Sequence, residues 1–139
     1  MQVQQSFPTW TGVVLVVDDE PLLRELLART LTDAGFDVLQ ADNGKTALEA
    51  ARASALPLTL LISDISMPVM DGLELCRRFR GLYPRVPVLL ISGNPRWATP
   101  DRSVLAGEQI LRKPFTAGSL LGAITQMLTA IDGVRDEIA

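Results

Sequence analysis

Histidine is absent from the 139 residues, and cysteine occurs once, at Cys76. The first absence excludes a Ser/His/Asp triad, imidazole acid/base catalysis and a His-ligated metal. The second excludes an internal disulfide. Cys76 lies three residues from both Leu73 and Phe79, a spacing that suits a packing thiol rather than a redox centre. Basic charge is also scarce. Thirteen Lys and Arg against sixteen Asp and Glu leave a net charge of -3, and no basic cluster offers a field for a phosphate backbone, which argues against direct nucleic-acid binding. Long apolar runs are missing too, since Asp or Arg interrupts each one before the roughly 20 residues of a bilayer span. The opening MQVQQSFPTW has neither the basic nor the apolar region of a secretion signal. No membrane contact is expected, and the cytoplasm is the default compartment.

What is present is globular: 47% apolar and 21% charged residues, at a length that suits one domain with its own core. Residues 1–12 read as a flexible N-terminal arm, 13–132 as the domain and 133–139 as a C-terminal tail. The run Val13 to Val17 ends in Asp18, Asp19, Glu20 and Pro21, a buried parallel strand followed at once by a helix with Pro in its first turn. Leu22, Leu23, Leu26, Leu27 and Leu31 recur at helical spacing, and Gly35 closes the helix. Phe36 to Ala41 is a second strand. Asp42 or Asn43 caps a helix bearing Ala47, Leu48, Ala50 and Ala51. Leu58 to Ser63 is a third strand ending at Asp64, and Asp71-Gly72 opens a helix with Leu73, Leu75, Cys76 and Phe79. Val86 to Ile91 ends at Ser92-Gly93, and Gln109 to Arg112 ends at Lys113-Pro114. Thr116 caps a last helix carrying Leu120, Leu121, Ile124, Met127, Leu128 and Ile131 on one face.

Five alternations of strand and helix predict an α/β fold: a doubly wound, five-stranded parallel sheet of flavodoxin-like order 2-1-3-4-5, with helices on both faces. In that order the first and third strands are neighbours at the topological switch point, where open α/β sheets bind ligands. Asp18, Asp19 and Asp64 then converge on one crevice, with Ser92 and Lys113 at the neighbouring strand ends. Like charges so close require a cation or raise one another's pKa, and an all-oxygen site suits Mg²⁺. Such a cation and the Lys113 ammonium would neutralise the equatorial oxygens of a transferring phosphoryl group, with Asp64 as nucleophile.

These residues stand in the motifs VLVVDDEP, LLISDISMPVMDG, LLISG and LRKPF, which together resemble the receiver domains of two-component response regulators over roughly Val13 to Ile131. The resemblance implies that Asp64 is the phosphoacceptor and that Asp19, Asp64 and the Ser66 backbone carbonyl hold Mg²⁺, with Asp18 acting through a water. It further implies that Lys113 holds a phosphoryl oxygen, that Ser92 swings in to hydrogen-bond it with help from the Gly93 amide, and that Lys113-Pro114 is cis. Ser92 in the bland reading satisfies a backbone group at its strand end. The implied donor is a separate histidine kinase or histidine phosphotransfer protein, since this chain has no histidine of its own. The implied chemistry stops at Mg²⁺-dependent self-phosphorylation and slow self-dephosphorylation, without turnover of other substrates.

Three features depart from the family pattern. Ile110 stands where Tyr or Phe is usual, three residues before the motif Lys, and a β-branched side chain cannot make the usual ring rotation. Pro95 and Pro100 push the fourth helix late. With Thr99 as cap, about two turns fit before Gly107, and Trp97 in the preceding loop either meets a partner or folds back. The surface of that helix, the fifth strand and the last helix, where the family binds downstream proteins and forms homodimers, should therefore be unusual. Finally, the chain reaches Ala139 without an output domain. The initial Met and the polar arm favour a stand-alone regulator over the receiver segment of a hybrid kinase. The rivals from other classes are a phosphorylation-independent adaptor and a haloacid-dehalogenase-like phosphatase, whose second Asp is here Ser66.

Overall fold

The computed structural model describes residues 11–94 and 109–138, with side chains described as far as residue 130. Each apolar run becomes a strand: β1 (Val13–Val17), β2 (Asp37–Ala41), β3 (Leu58–Asp64), β4 (Val88–Ser92) and β5 (Gln109–Arg112). The helices among the described residues are α1 (Pro21–Asp33), α2 (Gly44–Ala53), α3 (Gly72–Leu82) and α4 (Ala117–Ile138). All strand pairs are parallel and the order is β2-β1-β3-β4-β5, as the alternation predicts.

The strands are apolar throughout because both sheet faces are covered, and the two-residue period of a strand deals their side chains alternately to two cores. Val14, Val16, Leu60, Ile62, Leu89 and Ile91 pack with Leu27 and Leu31 of α1 and Leu120 and Ile124 of α4. Leu15, Val17, Leu61 and Leu90 pack on the opposite side with Ala47 and Leu48 of α2 and Leu75, Cys76 and Phe79 of α3. Cys76 is thus a core side chain. Each fully buried Leu, Ile or Phe contributes roughly 1.5–3 kcal/mol.

Helix starts follow local chemistry. Asn43, rather than Asp42, caps α2: its Oδ1 accepts the Thr46 N–H at 2.9 Å while Thr46 Oγ1 accepts the Asn43 N–H. Asp71 Oδ1 accepts the Glu74 N–H at 2.9 Å to open α3, and Thr116 Oγ1 accepts the Ser119 N–H at 3.0 Å to open α4.

Several sequence expectations are corrected. Leu22 and Leu26 face solvent, 88% and 57% exposed. A helix turns 100° per residue, so these two sit together one step round from the inward stripe of partly buried Leu23 and buried Leu27 and Leu31. Helix α4 continues through residues set apart as a tail, ending at Ile138, because nothing after Gly133 breaks a helix. Strand β4 begins after Pro87 rather than at Val86 and includes Ser92, and β3 includes Asp64. Of the expected arm, residues 1–10 lie outside the described residues, while the Gly12 carbonyl already accepts the Asp37 N–H at 2.9 Å. Gly12 sits at φ 128, and a Cβ there would overlap the Thr59 side chain. The helix expected from Thr99 and Pro100, together with Pro95 and Trp97, also lies outside the described residues.

Candidate functional site

Because the strands run one way, their carboxyl ends share an edge, and the connections diverge between β1 and β3 to open a crevice there. Its volume is about 370 Å³, and it is lined by Asp19, Glu20, Asp64, Ser66, Gly93, Asn94 and Lys113.

Asp18 follows β1 directly and is fully buried. Its N–H donates to the Ala41 carbonyl, its carbonyl accepts Arg24 Nη1 at 2.8 Å, and its Oδ1 accepts the Glu20 N–H at 2.9 Å. Its Oδ2 is buried with no protein partner. Burial pushes the Asp18 carboxyl up to about 6; the Glu20 N–H partly opposes this, and repulsion from Asp64 adds to it. Asp64, the last residue of β3, is also buried and its pKa is raised, again mainly by burial, with Lys113 opposing and Asp19 reinforcing. Asp19 is exposed at the crevice wall. One carboxylate oxygen from each of Asp18, Asp19 and Asp64 lies within 4.8 Å of the others.

Three hard oxygen donors at this separation, one of them buried and unpartnered, fit a divalent cation such as Mg²⁺, which favours oxygen and retains waters. A cation would also relieve both the mutual repulsion and the burial of charge that raise these pKa values. The ammonium of Lys113 stands 3.4 Å from Asp64 Oδ1, carried there by the end of β5 and a cis Lys113–Pro114 peptide. Its N–H donates to the Ser92 carbonyl at 2.8 Å, which ties β5 to the end of β4.

Ser92 is buried at the end of β4, but its hydroxyl is held in its own turn. It accepts the Asn94 N–H at 3.0 Å and donates to the Asn94 carbonyl at 3.4 Å. The structure therefore brings Asp18, Asp19, Asp64 and Lys113 together, sets Ser66 and Gly93 in the crevice wall, and leaves the Ser92 hydroxyl turned to Asn94. Gly72 packs directly behind Asp64: its N–H donates to the Ile65 carbonyl at 2.8 Å, and a Cβ there would overlap the Asp64 carbonyl oxygen.

Arg24 and Asn94 were not singled out in the sequence, and Glu20 was not among the expected ligands. Arg24 Nη1 bridges from the Asp18 carbonyl, and its Nε donates to Gln40 Oε1 at 3.2 Å, fastening the β1–α1 turn to the edge strand β2. An arginine in the first turn of the helix that follows two strand-end aspartates was the available signal.

The response regulator receiver domain family matches residues 14–125. The response regulator receiver protein CpdR of Brucella abortus is 36% identical over 118 residues, which are 84% of this chain and 97% of CpdR. Other relatives are longer, and the chain spans 51% of one and 24% of another. Among solved structures, chemotaxis protein CheY4 of Vibrio cholerae is 30% identical with a TM-score of 0.76, covering 86% of this chain and 100% of CheY4. Response regulator TrrA of Thermotoga maritima, solved in complex with Mg(2+)-BeF, is 30% identical with a TM-score of 0.74, covering 84% of this chain and 99% of TrrA.

Proposed function

This chain belongs to the response regulator receiver domain family, and on that premise we propose that Asp64 accepts a phosphoryl group from a histidine kinase or histidine phosphotransfer protein. The observation that carries the reading is the Lys113 ammonium 3.4 Å from Asp64 Oδ1, on a carboxylate that also clusters with Asp18 and Asp19. An Asp64 oxygen attacks phosphorus, the phosphorus–nitrogen bond of the donor phosphohistidine breaks, and its electron pair returns to the donor imidazole. Lys113 takes a phosphoryl oxygen and holds the developing charge. Asp19, Asp64 and the Ser66 carbonyl, with Asp18 through a water, would hold Mg²⁺, which when bound supplies further charge neutralisation and displaces the proton that burial favours on the carboxylates.

The new charge then competes for the Ser92 hydroxyl. Release of its bonds to Asn94, at 3.0 and 3.4 Å, lets it turn to the phosphoryl group and carry Gly93 and Asn94 with it, a two-state change biased by the modification. Ile110 is partly buried against the core on the α2–α3 side, and its β-branched side chain, restricted at χ1, has no ring to flip. The readout accordingly runs through the Ser92–Asn94 turn to the surface that β5 and α4 help to form, where a downstream protein or a second copy binds.

The chain acts in the cytoplasm as a switch, not as an enzyme with an external substrate; no helix among the described residues is long and apolar enough to cross a membrane. The test is incubation with acetyl phosphate and Mg²⁺ followed by intact-mass measurement. One phosphoryl adduct is expected, absent from Asp64→Asn and without the cation. An adduct that persists in Asp64→Asn would overturn the assignment. Catalytic turnover of an aryl phosphate would favour a phosphatase, and partner binding unchanged by beryllofluoride would favour a constitutive adaptor.

A further inference from the structure

Glu20 is fixed at its backbone but reaches away from the place its position suggests. Its N–H donates to Asp18 Oδ1 and its carbonyl accepts the Arg24 N–H, each at 2.9 Å. It occupies the N-cap of α1, where the short side chains of Ser, Thr, Asp or Asn ordinarily accept first-turn N–H groups, and the longer Glu20 side chain makes no such bond. Instead its Oε1 lies 3.7 Å from Lys113 Nζ at the crevice wall, its side chain 65% exposed and that of Lys113 24%. Lys113 is therefore shared between Asp64 at 3.4 Å and Glu20 at 3.7 Å.

We propose that Glu20 is a positioning residue that acts through Lys113 and biases the site against the phosphorylated state. The inference rests on Asp64 being the phosphoacceptor. While Asp64 is free, Glu20 gains from its half-share of the ammonium. A phosphoryl group on Asp64 draws Lys113 to itself and leaves the Glu20 carboxylate facing added negative charge across the same crevice. Both the lost attraction and the new repulsion oppose phosphorylation.

Toward a cation the same carboxylate works the other way, since it adds negative potential beside Asp18, Asp19 and Asp64. Replacing its charge therefore shifts two equilibria in opposite directions, which a simple structural lesion would not do. For charges several ångströms apart across a water-filled crevice, each shift is roughly two- to tenfold and shrinks in about 1 M salt.

The experiment is calorimetric titration of the full chain, first with Mg²⁺ alone and then with beryllofluoride at saturating Mg²⁺, for wild type, Glu20→Gln, Glu20→Asp and the remote charge control Glu49→Gln. Glu20→Gln should bind Mg²⁺ more weakly and beryllofluoride more tightly. Glu20→Asp should fall between it and wild type, and Glu49→Gln should match wild type. Equal or weaker beryllofluoride binding by Glu20→Gln, or the same shift in Glu49→Gln, overturns the role of Glu20. If wild type fails to bind beryllofluoride, or binds it as well after Asp64→Asn, the phosphoacceptor reading itself fails, a separate result.

Discussion

Asp18→Asn removes a buried charge while keeping the shape of the side chain, and in metal-free protein it should stabilise the fold. The Asp18 carboxyl is pushed from 3.8 up to about 6, chiefly by burial, and each pH unit of displacement is worth about 1.4 kcal/mol, so ionising it costs the folded state about 3 kcal/mol. The folded pKa lies above the unfolded one. The folded state therefore holds the extra proton between the two, and stability falls as pH rises from about 4 to about 6, then levels. Asparagine has nothing to ionise. Its Oδ1 can still accept the Glu20 N–H, and its amide donors face the Asp19 and Asp64 carboxylates that cluster with Asp18.

Thermal melts in chelator at about pH 8 should place Asp18→Asn above wild type by up to roughly 10 °C, and the gap should close as the pH is lowered toward 4. The raised pKa of Asp64 adds a slope of the same sign to both proteins and largely cancels in the comparison. Saturating Mg²⁺ should shrink or reverse the gap, because it stabilises the wild type more. A gap independent of pH, or a less stable asparagine variant at about pH 8, would refute the buried-charge reasoning.

Val69 holds φ 72 and is 90% exposed, so Val69→Asn, which tolerates that conformation and loses little packing, should stabilise by about 1 kcal/mol in urea unfolding. Gly72→Ala would drive a Cβ into the Asp64 carbonyl oxygen and should cost about 3 kcal/mol in the same assay while abolishing the acetyl phosphate adduct. Arg24→Ala frees the Asp18 carbonyl from its 2.8 Å bond. It should cost about 1 kcal/mol and weaken Mg²⁺ binding by calorimetry, with Arg24→Lys restoring charge but not both hydrogen bonds.

The sheet order was legible because its information is local: five apolar runs, each ended by a polar residue and followed by a helix start, leave few ways to wind a parallel sheet. Asp18, Asp19, Asp64 and Lys113 were legible for the same reason, since a strand-end residue on a parallel sheet has its destination set by strand order alone. The outward turn of Leu22 and Leu26 was not, because five leucines in ten residues over-supply a stripe that has room for three. Nor were the contacts between elements: Arg24 reaching Gln40 on β2, Glu20 reaching Lys113 beyond β5, and Ser92 bonded to Asn94 each depend on side-chain directions set by packing. The continuation of α4 to Ile138 was hidden by Gly133, a weak helix former that by itself does not end a helix.

The most direct measurement is to locate the phosphoryl group. After reaction with acetyl phosphate and Mg²⁺, borohydride reduction converts an aspartyl phosphate to homoserine, and peptide mass spectrometry reads the position. Homoserine at position 64 alone, dependent on the cation and on the phosphodonor, is the predicted result. Homoserine at Asp18 or Asp19, or none at any position, would contradict the assignment of Asp64 as the phosphoacceptor.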